Sequence, residues 1–163
     1  KFFCIDASSG AIIWQIDVSG AVSSSATLGS DLLFFGTDAF YLYAVEAATG
    51  AVSWSCLAKD AITGAPTLSS DSKSLYFGAA DTYMYGITDV YSTTCTAGGV
   101  EPSYCQDLIK EGNLQQAGCA SWWLTPDNAP VNAPITLDET NNQLFVTSSA
   151  APGLSSIVSV DLS

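Results

Sequence analysis

The chain has 163 residues, of which 48% are apolar and 12% are charged, and this composition predicts an ordered domain with a core. Sixteen acidic residues, four lysines and no arginine give a net charge of −12. Such a surface repels phosphate groups, which argues against nucleic-acid binding, and the short apolar runs argue against membrane insertion. The chain also lacks histidine, the side chain that most often serves as a general base or metal ligand.

The first fourteen residues, KFFCIDASSGAIIW, recur as YLYAVEAATGAVSW at residues 41–54, an offset of 40. The offset aligns an acidic residue, a glycine and a tryptophan of the two copies: Asp6 with Glu46, Gly10 with Gly50, and Trp14 with Trp54. A period near 40 residues indicates a repeat architecture, in which each copy is one supersecondary unit stacked on the next.

The first complete unit reads as four short strands, predicted at about 22–28, 32–37, 40–46 and 51–57. These segments are rich in β-branched and aromatic residues, and turn-forming residues separate them. Four antiparallel strands in about 40 residues are the size of one β-propeller blade. The sequence therefore predicts an all-β fold built of four-stranded propeller blades.

Two further copies follow along the chain. Ala26-Thr27-Leu28 recurs as Pro66-Thr67-Leu68, and LLFFGTD at residues 32–38 recurs as LYFGAAD at residues 75–81. In the third copy, three residues match Gly50, Trp54 and Pro66 at an offset of 68: Gly118, Trp122 and Pro134. The segments QLFVTS at 143–148 and IVSVDL at 157–162 then take the places of a second and a third strand.

This alignment divides one partial propeller, residues 1–163, into a blade end, two blades and a partial blade: 1–20, 21–60, 61–127 and 128–163. The thirteen predicted strands make a little over three blades, whereas a closed propeller has four to eight. We therefore expect the chain to be part of a longer protein and to pack against that protein's remaining blades. The alternative is an open stack completed by copies of itself.

An insertion at about 89–117 interrupts the blade at 61–127. Three cysteines lie in or beside it, at Cys95, Cys105 and Cys119. Their density suggests disulfides and an oxidising compartment, that is, a secreted, extracellular or lumenal protein, although spacing does not fix which of them pair. A loop of this length is either a binding loop or a decorated surface loop with a structural disulfide.

The pattern acidic–small–small–Ser/Thr–Gly–x–x–x–Trp appears in DASSGAIIW at 6–14 and EAATGAVSW at 46–54, and more weakly in QQAGCASWW at 115–123. It resembles the repeat of the pyrroloquinoline-quinone (PQQ) enzymes and differs from the WD repeat. The resemblance implies a propeller of the quinoprotein-dehydrogenase-like superfamily, with eight or a similar number of blades. It also implies that the glycine turns between the third and fourth strands, and that Trp14, Trp54 and Trp122 pack between adjacent blades.

Quinone-dependent dehydrogenases of this superfamily hold their cofactor over calcium with carboxylates, an amide, an arginine and often a disulfide between adjacent cysteines. This chain has no arginine and no adjacent cysteine pair. Asp38 and Asp81 end equivalent strands, which indicates an architectural role, and Asp138–Asn142 reads as a hairpin turn because it lacks the glycine and the final glutamate of an EF-hand loop. We therefore assign no catalytic, cofactor-binding or metal-binding residue and expect no cofactor.

The sequence favours a non-catalytic propeller scaffold or protein-interaction module in a secreted or lumenal protein, with a role in an extracellular assembly. The alternative is a segment of a PQQ-dependent dehydrogenase whose active-site residues lie outside this chain. We expect a protein partner to contact the insertion at 89–117. Trp123 is a second candidate for that contact, because it neighbours the repeat tryptophan and adjacent residues on a strand point to opposite faces.

Overall fold

The computed structural model describes residues 1–91, 122–124, 129–151 and 154–162. These residues form thirteen strands and no helix, as the sequence predicts. Within the described part of the chain, no helical segment has the length and hydropathy needed to cross a membrane.

The strands form four separate antiparallel sheets of two, four, four and three strands, each ordered as in the chain. The first sheet holds β1 (Phe2–Ile5) and β2 (Ile12–Ile16). The second sheet holds β3 (Thr27–Leu28), β4 (Leu32–Gly36), β5 (Tyr41–Glu46) and β6 (Val52–Leu57). The third sheet holds β7 (Thr67–Leu68), β8 (Leu75–Gly78), β9 (Met84–Ile87) and β10 (Trp122–Leu124), and the last sheet holds β11 (Thr136–Asp138), β12 (Gln143–Ala151) and β13 (Leu154–Asp161).

The first strand of the second sheet, at one edge, is shorter than the sequence predicts. The pattern predicts a strand over 22–28, but only Thr27–Leu28 pairs with β4. The cause is Ser24, whose buried hydroxyl accepts a hydrogen bond from the Gly36 amide at 2.7 Å and donates one to the Gly36 carbonyl at 3.3 Å. A side chain therefore satisfies the Gly36 backbone groups that a longer ladder would have paired.

The strand register confirms most of the repeat alignment and corrects two parts of it. The match of 32–38 with 75–81 is wrong by one residue, because Phe34 and Tyr76 occupy equivalent positions opposite Thr27 and Thr67. Asp38 therefore corresponds to Ala80 and not to Asp81. Trp122 lies opposite Gly86, as Trp54 lies opposite Ala44, which fits the offset of 68. Further on the offset is 69, because Thr136 and Leu137 of β11 occupy the places of Thr67 and Leu68 in β7. The match of Pro134 with Pro66 is therefore wrong by one residue, and Ile135 stands at that position.

The second sheet packs both of its faces, because successive residues of a strand point to opposite sides. Phe34 is buried in a cluster shared with the third sheet, together with Trp54 and Phe77. Its neighbour Phe35 is buried in a cluster shared with the first sheet, where its ring stacks on Phe2 at 4.2 Å. Burial of a side chain of this size contributes roughly 1.5–3 kcal/mol, so the stacked sheets stabilise one another.

Candidate functional site

The turn between the last two strands of a unit is built twice in the same way. In the first sheet the Asp6 amide donates to the Ala11 carbonyl, and the Gly10 amide donates to the Asp6 carbonyl, both at 2.8 Å. The second sheet repeats both bonds at 2.8 Å, from Glu46 to Ala51 and from Gly50 to Glu46. Gly10 and Gly50 have φ angles of 73° and 75°, a backbone conformation that explains the repeated glycine.

The repeated acidic residue is an acceptor within its own turn. The Asp6 Oδ1 atom accepts hydrogen bonds from the hydroxyl and the amide of both Ser8 and Ser9, at 2.6–3.1 Å. These bonds hold the pKa of the Asp6 carboxyl below its ordinary value, and the bond from the Ser8 hydroxyl contributes most. In the second sheet, Glu46 Oε2 accepts a bond from the Thr49 hydroxyl at 2.7 Å. The carboxylate of the repeat motif therefore orders a turn.

The first tryptophan joins the first sheet to the second. Trp14 lies on β2, and its indole Nε1 donates a hydrogen bond to the Ala47 carbonyl at 3.0 Å. Its ring covers Gly50 so closely that a Cβ atom there would lie 2.6 Å from the Cε3 atom of Trp14. Gly50 is therefore required both by its φ angle and by the ring of the neighbouring sheet.

The second tryptophan makes the same bond to the third sheet. Trp54 is 2% exposed, and its Nε1 atom donates to the Val90 carbonyl at 2.9 Å. Val90 takes the place of Ala47: the Ala47 amide donates to Asp31 at 2.8 Å, and the Val90 amide donates to Lys73 at 3.0 Å. The repeat geometry thus continues through Val90. The sequence places the start of the insertion at about residue 89, but in the structure it begins after Val90.

A groove lies beside the point where the insertion leaves the third sheet. It has a volume of about 460 Å³, and the residues that line it include Asp31, Glu46, Ser53 and Tyr91. The Tyr91 hydroxyl accepts a hydrogen bond from the Ser30 amide at 3.3 Å, while the side chain remains 44% exposed. Tyr91, directly after the last repeat position, therefore turns back onto the preceding sheet. No pattern in the sequence indicates this contact, because the equivalent position in the second sheet is an alanine.

The backbone segments that link one sheet to the next cross two glycines. A Cβ atom on Gly36 would lie 2.5 Å from the Ile62 carbonyl oxygen, and one on Gly78 would lie 2.5 Å from that of Val131. The Ile62 amide also bonds the Thr37 carbonyl at 3.1 Å. Glycine is needed at both positions because backbone passes directly over them. In the last sheet the same register position, opposite Ile157, is Thr147.

Most residues predicted to act in the insertion lie outside the described residues, namely Cys95, Cys105, Cys119 and the segment 92–117. Trp122 and Trp123 are on β10, where their backbones lie opposite Gly86 and Tyr85. The packing role of Trp122, the contact of Trp123 and the disulfides all stay predictions.

The described carboxylates at the strand ends are hydrogen-bonded within the repeat. Asp38 accepts a bond from the Ala21 amide at 2.6 Å, and Asp81 accepts bonds from the Lys59 and Tyr83 amides and from the Tyr85 hydroxyl. Asp138 accepts bonds from the Asn141 side chain and amide, which lower the pKa of its carboxyl.

These carboxylates do not converge on a common point. Among the described residues, no group of three histidine, cysteine or acidic side chains could hold a metal ion.

Comparison with known families gives a match over 1–98, to the family described as outer membrane protein assembly factor BamB. This match covers three fifths of the 163 residues. A search of curated proteins finds no significant match.

Solved structures resemble the fold over nearly the whole chain. BamB from Moraxella catarrhalis is 15% identical with a TM-score of 0.63, over 97% of this chain and 39% of that chain. Quinohemoprotein alcohol dehydrogenase from Comamonas testosteroni is 17% identical with a TM-score of 0.64, over 98% of this chain and 30% of that chain. The corresponding enzyme ADHIIG from Pseudomonas putida HK5 is 16% identical with a TM-score of 0.61, over 90% and 25%.

These likenesses confirm the prediction of PQQ-like propeller blades, and at such low identity they concern the fold alone. The chain spans between a quarter and two fifths of the length of these three structures. An assembly factor and two dehydrogenases thus have the same kind of blade, so the fold does not determine which activity a protein has.

Proposed function

Because this chain belongs to the family described as outer membrane protein assembly factor BamB, we propose that it is a non-catalytic propeller module that binds other proteins in a secreted or lumenal assembly. The description of the family names assembly of proteins, which supports a protein partner over a small-molecule substrate. The acidic, lysine-poor composition adds that the partner surface carries basic side chains.

The observation that carries the proposal is that the repeated residues at the turns are all bonded within the scaffold. The residues that repeat are already engaged: Trp14 and Trp54 bond the next sheet, and Asp6 and Glu46 order their turns. Residues committed to the scaffold leave specificity to the positions that depart from the repeat. The largest departure begins after Val90, beside a groove with two carboxylates and the exposed ring of Tyr91.

The contact between Trp54 and Val90 also explains how a scaffold can carry a long insertion. The acceptor for Trp54 is the backbone carbonyl of Val90, which precedes the insertion, so the contact between the sheets does not depend on the inserted residues. Loop length itself is a weak variable, since each doubling costs only about 0.6 kcal/mol. This turn can therefore vary for a partner while the blades stay packed.

The decisive experiment replaces residues 91–117 with Ala-Thr, so that Val90-Ala-Thr-Gly118 copies the turn Ala47–Gly50. We expect the melting temperature of the whole protein to change by a few degrees at most, because Val90 and its bond to Trp54 are kept. Capture of the partner protein from the native compartment should fall at least tenfold. Unchanged capture with unchanged stability would contradict the proposal.

Two further variants test the groove without altering the loop length. Tyr91→Ala removes the exposed ring, and the double variant Asp31→Asn with Glu46→Gln neutralises both carboxylates of the groove. We expect either change to weaken partner capture by severalfold while the unfolding transition moves little. A partner that binds elsewhere on the protein would be captured equally well by all of these variants.

A second candidate function is a segment of a PQQ-dependent dehydrogenase, favoured by the likeness to the two alcohol dehydrogenases. In that case the residues that hold the quinone would lie outside this chain. Quinone-dependent oxidation of alcohols by the whole protein, lost in the variant with the shortened turn, would favour this function over the scaffold.

A further inference from the structure

The turn between the first two strands of a sheet contacts the next sheet at two junctions, through two different acceptors. In the second sheet this turn presents the Ser30 amide, which donates to the hydroxyl of Tyr91, after β9, at 3.3 Å. In the third sheet the Ser70 amide, at the same place after the Thr-Leu pair of the first strand, donates to Glu139 Oε1 of the last sheet at 2.6 Å. One turn is therefore held by a neutral hydroxyl and the other by a carboxylate.

The Ser70–Glu139 contact lies where two surface grooves meet. The grooves have volumes of about 660 and 280 Å³, and both are lined by Ser70, Leu137 and Glu139. The larger groove extends past Thr67, and the smaller one extends past Tyr76. Release of the Glu139 side chain would therefore open the boundary between the two grooves.

The contact depends on the charge of Glu139. Bonds from Ser70 hold the pKa of the Glu139 carboxyl below its ordinary value, the hydroxyl bond contributing most and the amide bond next. A carboxyl whose pKa is lowered by folding stabilises the fold above its unfolded pKa, and this stabilisation is lost as pH falls through the folded value. A protonated carboxyl is a neutral acceptor, whose hydrogen bonds are roughly half as strong as those of the charged form. The contact therefore weakens in acid.

The other charged groups around Glu139 act in the same pH range or not at all. Three titratable side chains also line the two grooves, and one lysine lies beside them: Asp71, Tyr76, Asp138 and Lys73. The charge of Asp71 raises the pKa of Glu139 and so opposes the Ser70 bonds, which have the larger effect. Asp71 itself is bonded by the Ser69 hydroxyl, which most lowers its pKa, and it is attracted to Lys73. Burial raises the pKa of Tyr76, so its hydroxyl stays protonated in acid.

The deeper contacts of the same junction do not depend on a carboxylate. The Thr67 hydroxyl donates to the Ile135 carbonyl, and the Val131 amide donates to the Ala79 carbonyl at 3.2 Å. Val131 also belongs to a buried apolar cluster that joins Met84 of the third sheet to the last sheet. The two sheets therefore stay packed in acid while the turn at their surface is released.

We propose that the Ser70–Glu139 contact is an acid-sensitive switch, which holds the β11–β12 turn on the third sheet at neutral pH and releases it when Glu139 is protonated, so that the two grooves become one. The joined groove would expose more of Leu137 and Tyr76, which are both half-buried. The switch goes beyond the proposed function, because it concerns contacts within the chain and requires no partner.

Nuclear magnetic resonance of the whole protein tests the switch between pH 7 and pH 3, with ¹⁵N in serine amides and ¹³C in side-chain carboxyls. We expect the Ser70 amide proton and the Glu139 carboxyl carbon to titrate together, with a midpoint below the ordinary glutamate value of 4.5. Protection of the Ser70 amide from exchange, corrected for the intrinsic rate at each pH, should fall at least fivefold in acid. The Ser30 amide is the internal control and should keep its protection, because its acceptor has no charge to lose.

Three variants separate the Glu139 charge from its surroundings. Glu139→Gln keeps the side-chain length but is neutral, so the Ser70 amide should already be poorly protected at pH 7 and should no longer respond to pH. Asp138→Asn removes the same charge from a side chain that bonds its own turn, and it should leave the switch unchanged. Asp71→Asn should keep the response and move its midpoint to lower pH, because the repulsion on Glu139 is removed.

Each outcome decides for or against the switch. A Ser70 amide that still titrates in Glu139→Gln, or that is equally protected at pH 7 and pH 3, would overturn the proposal. Loss of near-ultraviolet circular dichroism would show that the whole protein unfolds before pH 3. In that case Glu139→Gln at pH 7 decides alone: protection of Ser70 at least fivefold below that of the unaltered protein supports the switch, and equal protection overturns it.

Discussion

Trp14 and Trp54 each join their sheet to the next one through the same indole hydrogen bond, but in different surroundings. Trp14 is half-buried and bonds Ala47, inside a turn that closes within four residues at Gly50. Trp54 is almost fully buried and bonds Val90, at the start of a long insertion. Because the acceptor in both is a backbone carbonyl one to three residues after the third strand, neither contact depends on the length of the turn that follows it. A propeller can therefore vary its turns for binding while its packing stays constant.

The largest effect should come from removing the buried ring. Trp54→Ala should lower the free energy of unfolding by about 3–5 kcal/mol, the range for deleting a buried large aromatic side chain. Trp14→Ala should cost roughly half as much because that ring is half-buried. Urea unfolding of both variants measures the difference. Equal losses would mean that burial does not distinguish the two junctions.

A conservative change isolates the hydrogen bond from the packing. Trp54→Phe keeps a ring and removes the indole donor, which leaves the Val90 carbonyl unsatisfied in a buried place. The part of the loss that comes from this bond should be about 1–3 kcal/mol, measured by urea unfolding. Trp14→Phe is the matched control, with water able to replace the lost donor at the half-buried site.

The two turn glycines form a matched pair that tests the contact with Trp14. Both have a positive φ angle, but a Cβ atom at Gly10 meets nothing within 4 Å, whereas one at Gly50 meets the Trp14 ring. Gly10→Ala should cost about 1–2 kcal/mol for the backbone conformation alone. Gly50→Ala should cost about 2–4 kcal/mol, because displacement of the ring is added. If the two variants unfold at the same urea concentration, the ring is not packed on the turn.

The insertion that distinguishes the second junction is predicted to carry a disulfide between Cys95 and Cys105, with Cys119 as the competing partner. A bridge across so short a loop should stabilise the protein by roughly 2–3 kcal/mol. Peptide mapping under non-reducing conditions identifies the pair. Free thiols at both Cys95 and Cys105 would remove this prediction.

The smallest effect concerns Asp6, the acidic residue of the first turn. The pKa of Asp6 is lowered in the folded protein, so its carboxylate stabilises the fold above the unfolded pKa of about 3.9, and this is lost as pH falls towards the lower folded value. Asp6→Asn should therefore lower the urea midpoint slightly at pH 7, and the difference from the unaltered protein should shrink below about pH 4. A difference that stays constant down to pH 2 would contradict the role of the charge.

Much of this architecture could be predicted because its signals are local and periodic. The apolar runs, the turn residues and the Gly–x–x–x–Trp spacing identified all-β blades, and the register of Trp122 agrees with its distance to Trp54. The third copy of the Thr-Leu pair, at Thr136 and Leu137, is also present in the sequence. It is hard to recognise there because one extra residue before it shifts the offset from 68 to 69.

The sequence by itself determined the period, the strand content and the glycine turns, since each depends on residues close together in the chain. Only the tertiary structure decided what those residues meet. The ring of Trp14 lies on a glycine 36 positions later, and the Ser24 hydroxyl replaces part of a strand ladder. Likewise, only the structure shows that the linkers between the sheets pass directly over Gly36 and Gly78. Such contacts join segments far apart in sequence, and their geometry exists only once the sheets are stacked.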